Sequence, residues 1–371
     1  MRLIYLATSA LPAVGRAVSI EVAHMCDAFA RAGHEVVLVA PERPGRLKNV
    51  GLHEYYGVSS AFRVEYLPWP RWKGRGYVYG WMAARRAREL QADLVYGRSI
   101  VGCYFAARAG LPVMLERHEP VSRREPLLRW LFSALVRHPR LKRVVVVSHS
   151  LADWLAISGA VPRGLLFVAP NASADDGPAA EAMPLDRSQL HAGYIGSLRP
   201  GKGMELIARL APLTPWVTYH VVGGSAAEVG GWNTAVPEAS NLVFHGHVPR
   251  PETGRYRRSC DVLLAPYSRA ESRPEMTSPH VPSLGPLKLI EYMAAAKPIL
   301  CSDLPAYREI LSDERTALLC DPEDVHSWVQ ALERLRRDEA LRARLGQAAR
   351  AQFLANHTWE RRARAVLEGI A

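Results

Sequence analysis

Two successions of short, almost unbroken apolar runs, separated by stretches with helical period, constrain this chain more than any other feature. In the first half they read LIYLAT, EVVLVAP, RVEYLPW, LVYGR, PVMLERH, VVVVS and LLFVAPN. In the second half come HAGYIGS, TYHVVGG, LVFHGHV, VLLAPY, PILCS and ALLCDP. A strand that is apolar on both faces has no side to turn to water, so helices must cover both faces of its sheet. The expected fold class is therefore α/β, with two doubly wound parallel sheets of the Rossmann-like kind. The first connecting helix is legible in Val18, Val22, Met25, Cys26 and Phe29, which recur at helical spacing before a stop at Gly33.

Between the two successions lies NASADDGPAAEAMPLDR, Asn171 to Arg187, which has no period and is rich in Ala, Pro, Asp and Gly. It reads as a linker. From about Val325 a long amphipathic tail follows, ending in HTWERRARAVLEGIA. No apolar run approaches the ~20 residues that span a bilayer. The opening MRLIYLATSALPAVG reads as a buried first strand rather than a signal peptide. The five cysteines are scattered and never form a CxxC pair, which fits a reducing cytoplasm and argues against a zinc site. For His245-x-His247, a structural or loop role is expected rather than a metal role. A net charge of +11 suits an anionic ligand or surface without choosing among them.

In open parallel sheets, ligands bind beyond the carboxyl ends of the strands. The loop GSLRPGKG follows such an end at Gly196 and carries Arg199 and Lys202 into a helix start near Met204. A helix N-terminus flanked by cations attracts an anion. The spacing matches G-x4-G-K, but Gly203 stands where a P-loop needs Ser or Thr for magnesium, so a nucleotide-hydrolysing reading loses its metal ligand. In PLKLIEYMAAAKPI, the amides of Leu287 and Lys288 open a helix, and Lys288 shares a face with Glu291. Lys288 suits a phosphate and Glu291 a ribose diol; the plainer reading is an exposed ion pair. Past another strand end, Arg117, His118 and Glu119 make His118 a candidate sugar contact. Gly15, in the loop after the first strand, allows close backbone approach. There is no D-x-D for a divalent cation, so cationic side chains would neutralise a leaving diphosphate. No metal or cofactor is expected.

These motifs, in order, resemble the GT-B glycosyltransferases of family 4 over essentially the whole chain. SALPAVG…AHMCDAFARAGHEVVLVAP is similar to the family's glycine loop and following strand, and ERH to its histidine site. VVVVSHSLADWL…FVAPNASADD, YIGSLRPGKGMELI, LVFHGHVPRPETGRYRRSCDVLLAPY and PLKLIEYMAAAKPILCSDLPAYREI resemble its later signatures. The resemblance implies two Rossmann-like domains facing across a cleft: 1–172, a linker at 173–188, 189–352, and a helix at 353–371 crossing back to the first domain. It implies a retaining, metal-independent transfer of a hexose-type sugar from a UDP- or GDP-sugar. His118, Arg199 and Lys202 would be catalytic; Gly15, Gly196, Leu287, Lys288 and Glu291 would bind the donor. Two positions depart from the pattern. Ser283 stands where the family often has the first acid of E-x7-E, with Glu271, Glu275 and His280 nearby. Val14-Gly15 stands where a double glycine is common.

WPRWKGRGYVYGWMAARRAR, residues 69–88, alternates cations with Trp and Tyr. It suits an anionic membrane surface or a lipid-linked acceptor, and also nucleic acid; the plain alternative is a solvated helix. The expectation is an enzyme of the cytoplasm, peripheral on the inner membrane face, serving an envelope glycan or polysaccharide. A nucleotide-sugar epimerase, a phosphorylase and a non-catalytic nucleotide-sugar binder are the alternatives. Nucleic acid is not expected as a partner.

Overall fold

The computed structural model describes residues 1–13, 17–122, 124–175, 183–269 and 287–370. Each apolar run of the sequence becomes one strand. In the first unit these are β1 (Arg2–Leu6), β2 (Glu35–Glu42), β3 (Arg63–Pro68), β4 (Leu94–Gly97), β5 (Val113–Arg117), β6 (Leu141–Val146) and β7 (Leu166–Val168). Helices α1 (Ala17–Arg31), α2 (Leu52–Tyr56), α3 (Arg75–Glu89), α4 (Ile100–Arg108), α5 (Pro126–Val136) and α6 (His149–Ile157) connect them. All pairings are parallel, in the order β3-β2-β1-β4-β5-β6-β7. Leu3, Ile4 and Leu6 of β1 are wholly buried, as both-sided helix cover requires.

The second unit repeats the plan. Strands β8 (Leu190–Ile195), β9 (Val217–Val222), β10 (Leu242–Gly246), β11 (Val262–Ala265), β12 (Ile299–Ser302) and β13 (Leu318–Cys320) form a parallel sheet ordered β10-β9-β8-β11-β12-β13. Between and after them run α7 (Met204–Leu213), α8 (Ala226–Ala235), α9 (Arg250–Ser259), α10 (Leu287–Ala294), α11 (Pro305–Arg308), α12 (Val325–Arg337) and α13 (Glu339–Asn356). Strand order reverses between β1 and β4 in one sheet and between β8 and β11 in the other. Such switch points leave a crevice at the carboxyl ends of the strands.

By their contacts, Met1–Ala172 and Trp359–Ala371 form one unit and Ser173–Thr358 the other. The tail therefore differs from the expected division at 353. That position lies inside α13, where Phe353 is wholly buried against α10 and β12 residues of the second unit's core. The change of unit comes six residues later, where α14 (Trp359–Leu367) packs on α1. The start of the expected linker is likewise part of the second unit. Ser173 donates its N–H to the His357 carbonyl at 3.0 Å, and Asp175 accepts both Arg350 amino groups at 2.7 Å.

His245 belongs to a row of rings across β8, β9 and β10. His191 Nε2 lies 2.6 Å from the Asp186 carbonyl, which accepts only a proton donor, so the His191 Nδ1 is an acceptor. It takes the His220 Nε2–H at 3.0 Å, and His220 Nδ1 in turn takes the His245 Nε2–H at 3.1 Å. This order of donors leaves Nδ1 of His191 and Nδ1 of His220 without a proton. Burial, with His245 and His191 adding to it, brings His220 down to about 4.

Candidate active site

At the switch point of the second unit, β8 ends at Ile195 and the chain passes Gly196 into the loop before α7. Tyr194 holds this loop from below: its hydroxyl donates to the Ser197 carbonyl at 2.7 Å and lies 3.1 Å from the Lys202 carbonyl. Gly203 has φ +118°, and a Cβ there would stand 2.4 Å from the Pro266 ring, so neither the conformation nor the space admits a side chain. The result is an α7 N-terminus whose first amides, lacking intrahelical partners, open toward the strand ends. Arg199 is exposed on this loop, and Lys202 is half-buried.

The first turn of α10 meets the same place. Lys288 projects its ammonium over the Tyr194 ring, 3.7 Å from the centroid, and 5.0 Å from that of Tyr267. Lys202 lies 5.6 Å from the same Tyr267 ring. Two ammonium groups thus share one aromatic floor, an arrangement in which cation–π attraction offsets part of the desolvation of each. Gly196 makes room for it: a Cβ on Gly196 would lie 2.6 Å from Lys288 Nζ. Tyr292, one turn further along α10, donates to the Leu264 carbonyl at 3.2 Å and accepts the Ile195 N–H at 2.9 Å, stapling α10 across β8 and β11.

Lys288 and Glu291 share a helix face but turn to different partners. Glu291 pairs with Arg257 of α9 at 3.5 Å; Arg257 is buried and also reaches Thr253 Oγ1 at 3.1 Å. The exposed Lys–Glu pair considered from the sequence is therefore replaced by two half-buried charges with separate neighbours. Leu287 begins α10 and is half-buried. Gly196, Lys202, Leu287, Lys288 and Glu291 gather within the second unit. Gly15, Ser283, Glu271, Glu275 and His280 lie outside the described residues. The sequence reading missed Tyr194, Tyr267, Arg257 and Gly223. For Gly223 the double glycine of HVVGG was a usable signal, since a Cβ there would stand 2.0 Å from the Gly196 carbonyl oxygen.

In the first unit, alternation along β5 puts Glu116 and His118 on one side and Arg117 on the other. The Glu116 carboxylate accepts from His118 Nε2 at 2.5 Å and Arg362 of α14 at 3.1 Å, and the Tyr96 hydroxyl donates to it. Burial alone would raise its pKa, but Arg362, His118 and Arg98 hold the carboxyl well below the usual range. Glu21 stands on the other side of the ring, 3.6 Å from His118 Nδ1, and accepts from Arg98 at 2.5 Å. His118 is thus clamped by two carboxylates within a buried network of two acids and two arginines. The sequence reading found only His118 of this group.

Next to the network, a cavity of about 300 Å³ opens at the carboxyl ends of the first sheet. Thr8, Arg43, Trp69, Arg98 and Arg117 line it from the ends of successive strands, with Tyr77 and Glu125 from α3 and the start of α5. Arg43 lies over the Trp69 ring at 4.7 Å. The buried Arg117 Nε has no hydrogen-bond partner among the described residues, while its amino group reaches the Glu119 carbonyl at 2.8 Å. Burial, opposed by Glu119 and Glu125, brings its guanidinium down to about 10, still charged at neutral pH.

The comparisons agree with this architecture. Residues 18–173 match the model of Glycosyltransferase Family 4, and residues 204–368 match a glycosyl transferase-like model. The chain is a glycosyltransferase with the two parallel-sheet domains of the GT-B fold. It is 27% identical over 352 residues to the phosphatidyl-myo-inositol mannosyltransferase of Mycolicibacterium smegmatis, covering 89% of this chain and 83% of that one. Over 266 residues it is 26% identical to the D-inositol 3-phosphate glycosyltransferase of an Arthrobacter species, covering 68% of this chain and 59% of that one. A glycosyltransferase of Bacillus subtilis ascribed to teichuronic acid biosynthesis aligns over 114 residues at 27% identity, 27% of its length. Among solved structures, Anabaena HepE in complex with UDP superposes with a TM-score of 0.72 at 17% identity, covering 100% and 99% of the two chains.

Proposed function

We propose that this transferase moves a hexose-type sugar from a UDP- or GDP-sugar to an anionic polyol or glycan acceptor, with retention and without a metal ion. The observation that carries the reading is the convergence of Lys202, Lys288 and the starts of α7 and α10 at one switch point. A leaving diphosphate gathers negative charge as the glycosidic bond breaks. Preorganised ammonium groups and helix amides stabilise that charge more in the transition state than in the ground state. Glu291, oriented by Arg257, accepts the ribose hydroxyls. Arg199, exposed on the α7 loop, adds charge at the diphosphate, and Gly15 is assigned to the donor by the family resemblance. His118 is assigned to the donor sugar by the family resemblance, its ring held by Glu116.

The acceptor side rests on the first-unit cavity, where guanidinium groups meet the Trp69 face. Such a lining suits a ring with apolar faces that bears an anionic group. Relatives named for inositol phosphate and phosphatidyl-inositol substrates support that class. The exposed aromatic residues among the basic segment 69–88 support a peripheral attachment to membrane. No helix among the described residues is long and apolar enough to cross one.

Titration calorimetry with UDP and GDP tests the donor site, followed by turnover of the sugar nucleotide that binds. Product formation in the presence of a chelator, with the donor's anomeric configuration kept by NMR, is the expected result. Donor turnover without an acceptor would point to an epimerase, and binding with no turnover across acceptors to a non-catalytic binder.

A further inference from the structure

A second cavity lies at the opposite edge of the second sheet, outside the site just described. It measures about 620 Å³ and is lined from the amino ends of three strands: Leu190 and His191 open β8, Asp261 precedes β11, and Lys297 precedes β12. Strand β8 has six residues at ~3.3 Å each, so some 20 Å of sheet separates this edge from Gly196.

Among the described residues, the cations Arg187, Arg258, Lys297, Arg336 and Arg342 line this cavity with the carboxylates Asp261 and Glu339, and Arg258 is held by a further interaction. Asp261 is already engaged, accepting the His191 N–H at 2.9 Å. Arg342 is fixed by donating to the carbonyls of Leu335 and Arg336, and Arg336 lies over the Trp216 ring at 4.9 Å. Neither Arg187 nor Lys297 forms an ion pair with a described residue. Lys297 is held at the wall by an unfavourable turn: Ala296 before it has φ +56°, a conformation that residues with a Cβ seldom adopt. Burial lowers the Lys297 pKa against the pull of Asp261, and Arg187 and Arg342 lower it further. Arg187 and Lys297, brought together from separate segments with Lys297 on a strained turn, repel each other unless an anion joins them.

We propose that this cavity is a second anion site, for a small phosphorylated molecule such as a sugar phosphate. The excess of cations matches the roughly −1.5 to −2 charge of a phosphomonoester. The volume falls in the range of small-ligand sites, ~300–1,000 Å³, so it holds more than a bare phosphate ion. The polar lining disfavours an acyl chain. The site is independent of the donor site and of the transferase reading.

The test is calorimetric titration of glucose 6-phosphate, with glucose as the uncharged control, into the wild-type protein and into Lys202→Ala/Lys288→Ala. Glucose 6-phosphate binds both proteins and glucose binds neither. Arg187→Ala/Lys297→Met weakens glucose 6-phosphate at least ~10-fold while leaving UDP binding unchanged. Thermal melting guards against misfolding: Lys297→Met melts higher than wild type without ligand, and glucose 6-phosphate no longer raises its Tm. Absence of glucose 6-phosphate binding at tens of millimolar overturns the proposal. So does binding that survives the cavity variant, or that disappears with the donor-site variant.

Discussion

Lys288 illustrates how one side chain takes its meaning from its neighbours. Its ammonium sits over Tyr194, and Gly196 leaves the space for it. Lys202→Ala and Lys288→Ala should each weaken UDP or GDP binding by about 1.5–3 kcal/mol, the usual range for a charged hydrogen bond. Calorimetry on both variants checks this; wild-type affinity in both would displace the site. Gly196→Ala places a methyl 2.6 Å from the ammonium, the movable end of a long side chain. It should therefore lower nucleotide affinity while leaving the melting temperature nearly unchanged. Glu291→Ala should do two things at once, removing a ribose acceptor and taking the carboxylate from buried Arg257. Breaking such a pair costs about 3–5 kcal/mol when both members are buried; Glu291 is partly exposed, so the loss should lie at or below the lower end. Adding Arg257→Met should recover stability in urea but not nucleotide affinity, which separates the two effects. Lys288 and Glu291 were legible from a short motif, three residues apart at a helix start. Their partners Tyr194 and Arg257 lie tens of residues away and left no comparable local mark.

Among the elements, the strands were legible and the ion networks were not. Runs such as VVVVS announce themselves because a strand buried on both faces tolerates little polarity. Glu116 and Arg362, 246 residues apart, meet only because α14 packs on α1 beside β5. Arg362→Met leaves Glu116 buried without its guanidinium and should cost about 3–5 kcal/mol of unfolding free energy, measured in urea. A loss under about 1 kcal/mol would mean that Arg98 and His118 suffice. Arg362→Met/Glu116→Gln should recover part of the deficit. The histidine row across β8, β9 and β10 makes a pH prediction. His220 titrates at about 4 in the folded protein and near 6.5 when unfolded, so between those values the unfolded chain binds more protons. Its contribution is whole above pH 6.5 and is lost as pH falls toward 4. Chemical denaturation across that window should show stability falling with pH, and His220→Gln should flatten the slope. An unchanged slope would remove His220 as its source.

At the scale of the molecule, the basic aromatic segment divides its labour. Trp69 and Tyr77 line the first-unit cavity, while Trp72 and Trp81 are 63% and 48% exposed among exposed Arg71, Lys73, Arg75, Arg85 and Arg88. Flotation with liposomes containing anionic lipid should carry the protein upward at low salt and release it as salt rises, because screening weakens the attraction. Trp72→Ala/Trp81→Ala should float less, and a protein that stays at the bottom at every salt concentration ends the membrane reading. The class of fold, the number of sheets and the positions of the strands could be read from the sequence alone. These follow from hydrophobic period and turn residues, which act between near neighbours. Only the tertiary structure decided which charges share a wall, that α13 keeps Phe353 in the second unit, and that Lys297 joins four arginines at the far edge of a sheet. Those outcomes depend on electrostatics and close packing between distant segments, and local sequence carries no record of distance in space.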